Sequence, residues 1–189
     1  MKNNLQTVAA LLRLQARRTE LPEARGALEE AVRRVGSIAL VHELLSTAPD
    51  ESVPFDQVAD RVLSMVAEVS SSEGGIRPAR KGTFGVVPAE VATPLAVVLS
   101  EIVQNAVEHG LGGSAGAIVV VAERAGNRLL VEVLDDGAGL PEGFDAASSD
   151  RLGLQIVRTL VEGELGGQLT LERRDGGGTR AAIEISVDR

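Results

Sequence analysis

Four polar side chains are spaced along one stretch of the chain, SEIVQNAVEHG, so that they can act together. Asn105, Glu108 and His109 follow Glu101 at distances of four, seven and eight residues. Each residue of an α-helix turns by about 100°, so these spacings return near one face. A solvated helix face would have the same pattern, but Asn105 is a poor helix former with little structural reason to stand there. The stripe is therefore a candidate functional site.

A second group of candidates follows a predicted strand in the sequence LDDGAGLP. Gly137 and Gly139 would let the backbone come close to a flat ligand, and Asp135 could accept a hydrogen bond from that ligand. A plain surface turn would explain the same residues, so this segment alone leaves both interpretations open.

Two more glycine-containing segments complete the set. In SSDRLGLQIV, Gly153 stands at the start of an apolar helix, whose free backbone N–H groups can hold phosphate oxygens. In DGGGTR, the glycines lie between two predicted strands and are most simply a hairpin turn. Each segment is a weak signal by itself. The ordered combination of a polar helix stripe, D-x-G-x-G after a strand, a glycine-led helix and a G-G-T hairpin is far more specific.

This combination resembles the ATPase domain shared by histidine kinases, gyrase, the Hsp90 chaperones and mismatch-repair proteins. SEIVQNAVEHG resembles the N box of that domain, LDDGAGLP and RLGLQIV its first and second glycine boxes, and GGGTR its closing G-G-T element. The N-terminal runs KNNLQTVAALLRLQARR and RVGSIALVHELL look like the dimerisation region of HisKA_2-type sensor histidine kinases. The resemblance covers essentially the whole chain and implies ATP and Mg²⁺ as cofactors.

At the adenine end of the implied pocket, the resemblance gives Asp135 the role of hydrogen-bonding the adenine amino group. Gly137 and Gly139 would shape the pocket around the base, and Thr179 would close its floor. The segment from Leu140 to Arg151 would form a lid over ATP, and its small residues predict that it is mobile without nucleotide.

At the phosphate end, the resemblance implies that Asn105 coordinates a Mg²⁺ ion bridging the phosphates, with Glu101 near the γ-phosphate. His109 falls where relatives carry a basic residue near the phosphates. Gly153 matches the second glycine of a G-x-G pair, whereas Arg151 replaces the first and would contact phosphate instead. The sequence departs from the family pattern at position 151, which puts in question how the lid contacts the phosphates.

The elements that would position these residues follow from the spacing of apolar side chains. Periods of three and four, broken between the first two helices by TELPEARG with Pro22 and Gly26, predict helices at 3–18, 28–45, 56–70, 88–109 and 152–162. Pro88 suits the first turn of the fourth helix. Alternating apolar residues predict two β-hairpins, AIVVVAE with RLLVEVLDD and GQLTLERR with TRAAIEISV.

This order of elements predicts an α+β fold in two domains. Residues 1–48 would form an antiparallel helical hairpin for dimerisation and phosphotransfer, which pairs with a second copy as a four-helix bundle. Residues 49–189 would form the ATP-binding domain, a two-layer α/β sandwich with helices on one face of a mixed sheet. A homodimer is expected because the hairpin alone cannot bury its two apolar stripes.

Composition excludes several classes of function. The formal net charge is -8, with 19 Lys and Arg against 27 Asp and Glu, and aromatic residues make up 2% of the chain. Binding of nucleic acid is not expected, because it needs clustered cations and stacking aromatics. No apolar run approaches the roughly 20 residues of a membrane span, and cysteine is absent. These features predict a cytoplasmic chain without a membrane segment or a thiolate metal site.

The sequence thus predicts the kinase core of a two-component sensor histidine kinase. Such a protein binds Mg-ATP, phosphorylates one of its own histidines and passes the phosphate to an aspartate of a response regulator. One alternative is an anti-sigma-type serine kinase with the same ATPase fold, but such proteins lack the N-terminal hairpin. A second alternative, a dimerisation module with a degenerate nucleotide site, is weakened by Glu101, Asn105 and Asp135.

The position of the phosphorylated histidine is a separate question. The resemblance places it just upstream of the Lys-Asn-Asn-Leu-Gln run, so the chain is expected to begin a few residues after it. His42 lies on the apolar stripe of the second helix, where a structural, hydrogen-bonded role is favoured over phosphorylation. His109 is assigned to the nucleotide pocket.

Overall fold

The chain begins with two helices that pack against each other. The computed structural model describes residues 2–45, 52–70, 76, 78–112, 114–144 and 151–187. Helix α1 spans Lys2–Arg18 and α2 spans Pro22–Leu45. Of the residues of α1, Ala9 and Ala16 are buried. The predicted start of α2 near residue 28 is wrong, because Pro22 already has the fixed φ that suits a first helical position and needs no N–H partner there.

The remaining elements form a sandwich of helices and one mixed sheet. Helices α3, α4 and α5 span Phe55–Ser70, Ala89–Asn105 and Leu152–Arg158, and wider π-helical turns at Ala106–Gly110 and Thr159–Glu164 continue α4 and α5. The strands are β1 Ser52–Pro54, β2 Ala79–Gly82, β3 Val86–Pro88, β4 Ile118–Ala125, β5 Arg128–Asp135, β6 Gln168–Arg173 and β7 Thr179–Ser186. The predicted α+β class is confirmed.

The main sheet has the strand order β2-β4-β5-β7-β6. Strand β2 is parallel to β4, and the other neighbours are antiparallel, so the sheet is mixed as predicted. Both predicted hairpins are present, and alternate residues of β5, among them Leu129, Val131 and Val133, are buried in the core. This alternation is that of a strand with one face packed against helices.

A second, two-stranded sheet was not predicted. Strand β1 pairs antiparallel with β3, with Val53 opposite Val87, and both of these valines are buried. Strands of three residues are too short to show a period in the sequence. Pro88 belongs to β3 and precedes α4 instead of standing in its first turn. None of the helices in the described part of the chain has the length and apolar character that a bilayer crossing requires.

A carboxylate at the start of α3 fixes the loop that leads into β3 and α4. Asp56 accepts hydrogen bonds from the hydroxyl of Thr83 at 2.7 Å, the backbone N–H of Phe84 at 3.0 Å and the guanidinium of Arg80 at 2.9 Å. Burial by itself would raise the pKa of Asp56, but the bonds from Thr83 and Phe84 and the charge of Arg80 outweigh it, so the pKa is lowered. The loop before the site-bearing helix is therefore held in one arrangement.

We expect Asp56→Asn to reduce the free energy of unfolding by about 1–3 kcal/mol at pH 7, because one acceptor then faces several donors. A lowered pKa means that the carboxylate stabilises the fold above the ordinary value of 3.8 and loses this effect as pH falls through the folded-state value. Urea unfolding at pH 7 and in acid should show the two proteins converging at low pH. Asp60→Asn, a change at an exposed partner of Arg80, is the control and should cost less than about 1 kcal/mol. Equal losses in the two variants would contradict the assignment.

Candidate functional site

A cleft of about 360 Å³ opens between α4, the ends of β5 and β7, and the start of α5. Its walls carry both apolar and polar side chains, and its volume is in the range of small-molecule sites. Of the predicted site residues, the cleft is lined by Asn105, His109, Asp135, Gly139, Arg151 and Thr179. The other three predicted residues, Glu101, Gly137 and Gly153, do not line it. The sequence motifs thus converge on one place in the fold.

Asp135 is the buried charge at one end of the cleft. Its side chain ends strand β5 and the residue is 3% exposed. Carboxylate oxygen Oδ1 accepts hydrogen bonds from the backbone N–H groups of Gly137 at 3.0 Å and Thr179 at 3.1 Å. A carboxylate held by backbone donors keeps a fixed orientation, and this one faces a mostly apolar cleft. It can therefore accept a hydrogen bond from one defined position of a ligand.

Close backbone packing around Asp135 explains the glycines of the motifs. A Cβ atom at Gly110 would lie 2.6 Å from the carboxyl carbon of Asp135, and one at Gly178 would lie 1.9 Å from its backbone oxygen. A Cβ at Gly137 would lie 1.8 Å from the carbonyl oxygen of Gly110. Any side chain at these three positions would push the segments apart. Gly139 has a φ of +76°, a conformation in which a side chain is strained.

The other end of the cleft is formed by the last turn of α4 and the start of α5. Asn105, Glu108 and His109 line the cleft from the end of α4 and the turn that follows it, and Arg151 lines it from the segment that leads into α5. Burial lowers the pKa of His109, and the nearby charge of Arg151 lowers it further, against the opposing effect of Glu108 and Glu30. His109 is therefore mainly neutral near pH 7, and Arg151 is the cation of this end among the lining residues.

Glu101 does not open into the cleft in this structure. The residue is 6% exposed, and both of its carboxylate oxygens are bound by Arg34 of α2, at 2.7 Å from Nε and 3.0 Å from Nη2. A Cβ atom at Gly153 would lie 2.8 Å from Glu101 Oε2 and 3.9 Å from Asn105 Oδ1. Because position 153 lacks a side chain, the start of α5 can lie directly over these two polar groups.

Helix α2 also contributes to this region, which the sequence does not indicate. Arg34 also pairs with Glu30 at 2.9 Å, and Arg33 lies 3.6 Å from Glu108. Burial by itself would lower the pKa of Arg34, but Glu101 and Glu30 outweigh it and raise the pKa above its ordinary value. The Arg33-Arg34 pair in the sequence is the only signal, and nothing in the sequence connects it with a carboxylate 67 residues away.

The segment predicted as a lid is described in part. The described residues of this segment that line the cleft are Leu140, Pro141, Phe144 and Arg151. Residues 145–150, on which the prediction of mobility mainly rests, lie outside the described residues. His42 is half-buried on α2, and its structural role stays a prediction.

Two known families match the sequence. Residues 1–70 match HisKA_2, described as histidine kinase, and residues 90–189 match HATPase_c, the histidine kinase-, DNA gyrase B- and HSP90-like ATPases. The sandwich and its cleft are thus those of a kinase-type ATPase domain. The chain belongs to the histidine kinase family, with the ATPase domain that this family shares with DNA gyrase B and HSP90, as the sequence motifs predict.

Named relatives and solved structures agree with this assignment. Sensor histidine kinase PdtaS of Mycolicibacterium smegmatis is 53% identical over 100% of this chain, which spans 38% of that relative's length. Blue-light-activated histidine kinase 2 of Erythrobacter litoralis is 28% identical over 99% of this chain and 54% of its own length. The histidine kinase domain of the Erythrobacter litoralis EL346 blue-light activated kinase superposes with a TM-score of 0.74 at 25% identity, over 98% of this chain and 96% of that domain.

We expect Gly137→Ala to reduce the free energy of unfolding by about 1–3 kcal/mol, because the added methyl group overlaps the Gly110 carbonyl and forces the backbone apart. Thermal and urea unfolding would measure the loss. Gly36→Ala is the control, since a Cβ there meets nothing within 4 Å and α2 gains a better helix former. A Gly137→Ala protein as stable as the Gly36→Ala protein would show that the close packing is not required.

Proposed function

We propose that this chain is the kinase core of a two-component sensor histidine kinase, which binds Mg-ATP, phosphorylates a histidine and passes the phosphate to an aspartate of a response regulator. The observation that carries the proposal is the buried carboxylate of Asp135, oriented by two backbone N–H groups at the end of a cleft shaped by glycines. We further propose the division into a hairpin of residues 1–48 and an ATP-binding domain of residues 49–189.

Adenine fits the Asp135 end of the cleft by shape and chemistry. Asp135 accepts the hydrogen bond of the exocyclic amino group, and Gly137 and Gly139 leave room for the flat base. Apolar side chains, among them Ile102 and Leu171, line the same cleft and can pack on the base. Thr179 donates its backbone N–H to Asp135, and its side of the cleft is the proposed floor of the pocket.

The polar groups of α4 and α5 suit the triphosphate. The side-chain oxygen of Asn105 is a ligand type that Mg²⁺ accepts, and Mg²⁺ commonly takes few protein ligands and completes its shell with phosphate and water. No group of three or more metal-binding side chains occurs in the described residues. Arg151 offers a positive charge, His109 a mainly neutral hydrogen-bonding ring, and Gly153 a position without a side chain at the start of α5.

ATP supplies the phosphoryl group for this reaction, and the protein contributes positioning and charge rather than covalent chemistry. Glu101 is the proposed catalytic carboxylate near the γ-phosphate, because it and Asn105 both face Gly153. The helical hairpin and the family of the relatives favour this function over an anti-sigma-type serine kinase. A cytoplasmic location for this part of the protein is consistent with the function.

We also propose that the chain forms a homodimer through its hairpin. The residues Val8, Leu11 and Leu14 of α1 are exposed, with Leu11 at 57%. They form a stripe at i, i+3 and i+6 on a face of the helix turned away from the buried Ala9 and Ala16, and α1 carries no acidic residue. A second copy of the hairpin would cover this apolar face in a four-helix bundle.

We expect Asp135→Asn to abolish binding of ADP, because the amide removes the charge and places two donor hydrogens among the backbone donors of the pocket. Calorimetry with ADP and Mg²⁺ measures the effect. Asp136→Asn makes the same change at the neighbouring exposed residue, which accepts from Ala117 outside the cleft, and should retain binding. Affinity of the Asp135→Asn protein equal to that of the unmodified chain would remove the ATP-binding proposal.

We expect the unmodified chain to be a dimer and Leu11→Asp to be a monomer, because a carboxylate would be placed in the apolar face of α1. Light scattering over a range of concentrations measures the mass. Gln6→Asp introduces the same residue on another exposed face of α1 and should leave the dimer intact. A stable monomer of the unmodified chain at high concentration would contradict the proposed bundle.

A further inference from the structure

The helical hairpin supplies two arginines to the region beside the nucleotide cleft. Arg34 binds both carboxylate oxygens of Glu101 and one of Glu30, and its side chain is 16% exposed. Arg33 lies 3.6 Å from Glu108, whose side chain lines the cleft. These contacts join α2 to α4, two helices that belong to the two proposed domains.

This arrangement compensates charge where the triphosphate is expected. Three carboxylates lie in this region, those of Glu30, Glu101 and Glu108. Two of their negative charges are compensated by the arginines of α2, Arg33 and Arg34. Without the arginines, the carboxylates of Glu101 and Glu108 would repel phosphates bound in the cleft, because like charges in a partly buried site interact more strongly than in water. Glu101 is the most affected, since it is the most buried of the three and has a bidentate partner.

The γ-phosphate distinguishes ATP from ADP, and Glu101 is the carboxylate assigned to its neighbourhood. We propose that Arg34 of the hairpin is a positioning residue for the ATP site: by holding and compensating Glu101 it favours the triphosphate over the diphosphate. The inference rests on the function proposed above. By reciprocity of linked equilibria, binding of the triphosphate then favours the hairpin packed on α4. The hairpin would in this way report on the γ-phosphate.

The test compares affinities for ADP and for a non-hydrolysable ATP analogue, both with Mg²⁺, by calorimetry on the full chain. Arg34→Met should weaken binding of the analogue by about tenfold through the uncompensated charge of Glu101, and change binding of ADP much less. Arg34→Lys should restore part of the preference, because it keeps the charge but loses the bidentate geometry. Arg128→Met removes an arginine paired with Glu184 at the far end of β5 and should change neither affinity.

A double variant separates the charge effect from loss of folding. In the Glu101→Gln background, Arg34→Met should no longer reduce affinity for the analogue selectively, because the charge to be compensated is gone. Circular dichroism and unfolding curves identify any variant that fails to fold. If Arg34→Met alone fails to fold because Glu101 is left buried without a partner, the double variant still allows the test, because it has no buried unpaired charge at position 101.

Reciprocity gives an independent measurement. The analogue should slow hydrogen exchange of α2 amides around residues 30–38 more than ADP does, and this difference should disappear in the Arg34→Met protein.

Each outcome decides the inference. Selective loss of analogue binding that Glu101→Gln removes supports the role of Arg34. Equal losses for both nucleotides in a folded protein, or no loss for either, overturn it and leave Arg34 as a packing contact between α2 and α4. Absence of nucleotide binding in the unmodified chain and in all variants would instead refute the proposed function itself.

Discussion

The carboxylate of Asp135 lies where three backbone segments meet, and the rest of the site depends on how closely they can approach. The π-helical turn after α4, the loop after β5 and the turn before β7 come together at Gly110, Gly137 and Gly178. Each glycine faces a backbone or carboxylate atom closer than any side chain would permit. The same contact sets the position of the last turn of α4, and with it Asn105, Glu108 and His109. A single packing constraint therefore orients both ends of the cleft.

The two ends of the cleft differ in their electrostatics. At one end, neutral backbone donors hold a single carboxylate in apolar surroundings, which suits recognition of one polar edge of a flat ligand. At the other end, charged side chains from α2, α4 and the start of α5 nearly balance, and partial desolvation, together with the charge of Arg151, lowers the pKa of His109. This division matches the needs of a ligand with a flat base and a charged tail. The charge balance at the second end includes groups from the helical hairpin, so the site is not built by the sandwich alone.

Most elements of the fold could be predicted because periodic burial is visible in a single sequence. The helices α1, α3 and α4 and both β-hairpins have enough residues to display periods of 3.6 or two. The start of α2 and the strands β1 and β3 were not predicted, for local reasons. In the sequence, Pro22 interrupts the apolar period and so predicts a break, although the same rigid ring suits the start of α2. Strands β1 and β3 have three residues each and are defined only by pairing with each other.

The sequence by itself determined the family, the fold class and six of the residues that line the cleft, because ordered motifs record local needs for glycine, carboxylate and amide groups. Asp135, Gly139, Asn105, His109, Arg151 and Thr179 meet in the structure as the motifs require. Only the tertiary structure decided that Glu101 turns from the cleft towards Arg34, and that α2 contributes to the site. A charge pair between residues 67 positions apart leaves no periodic trace in either helix. It exists only because the packing of α2 on α4 brings the two side chains out of water together.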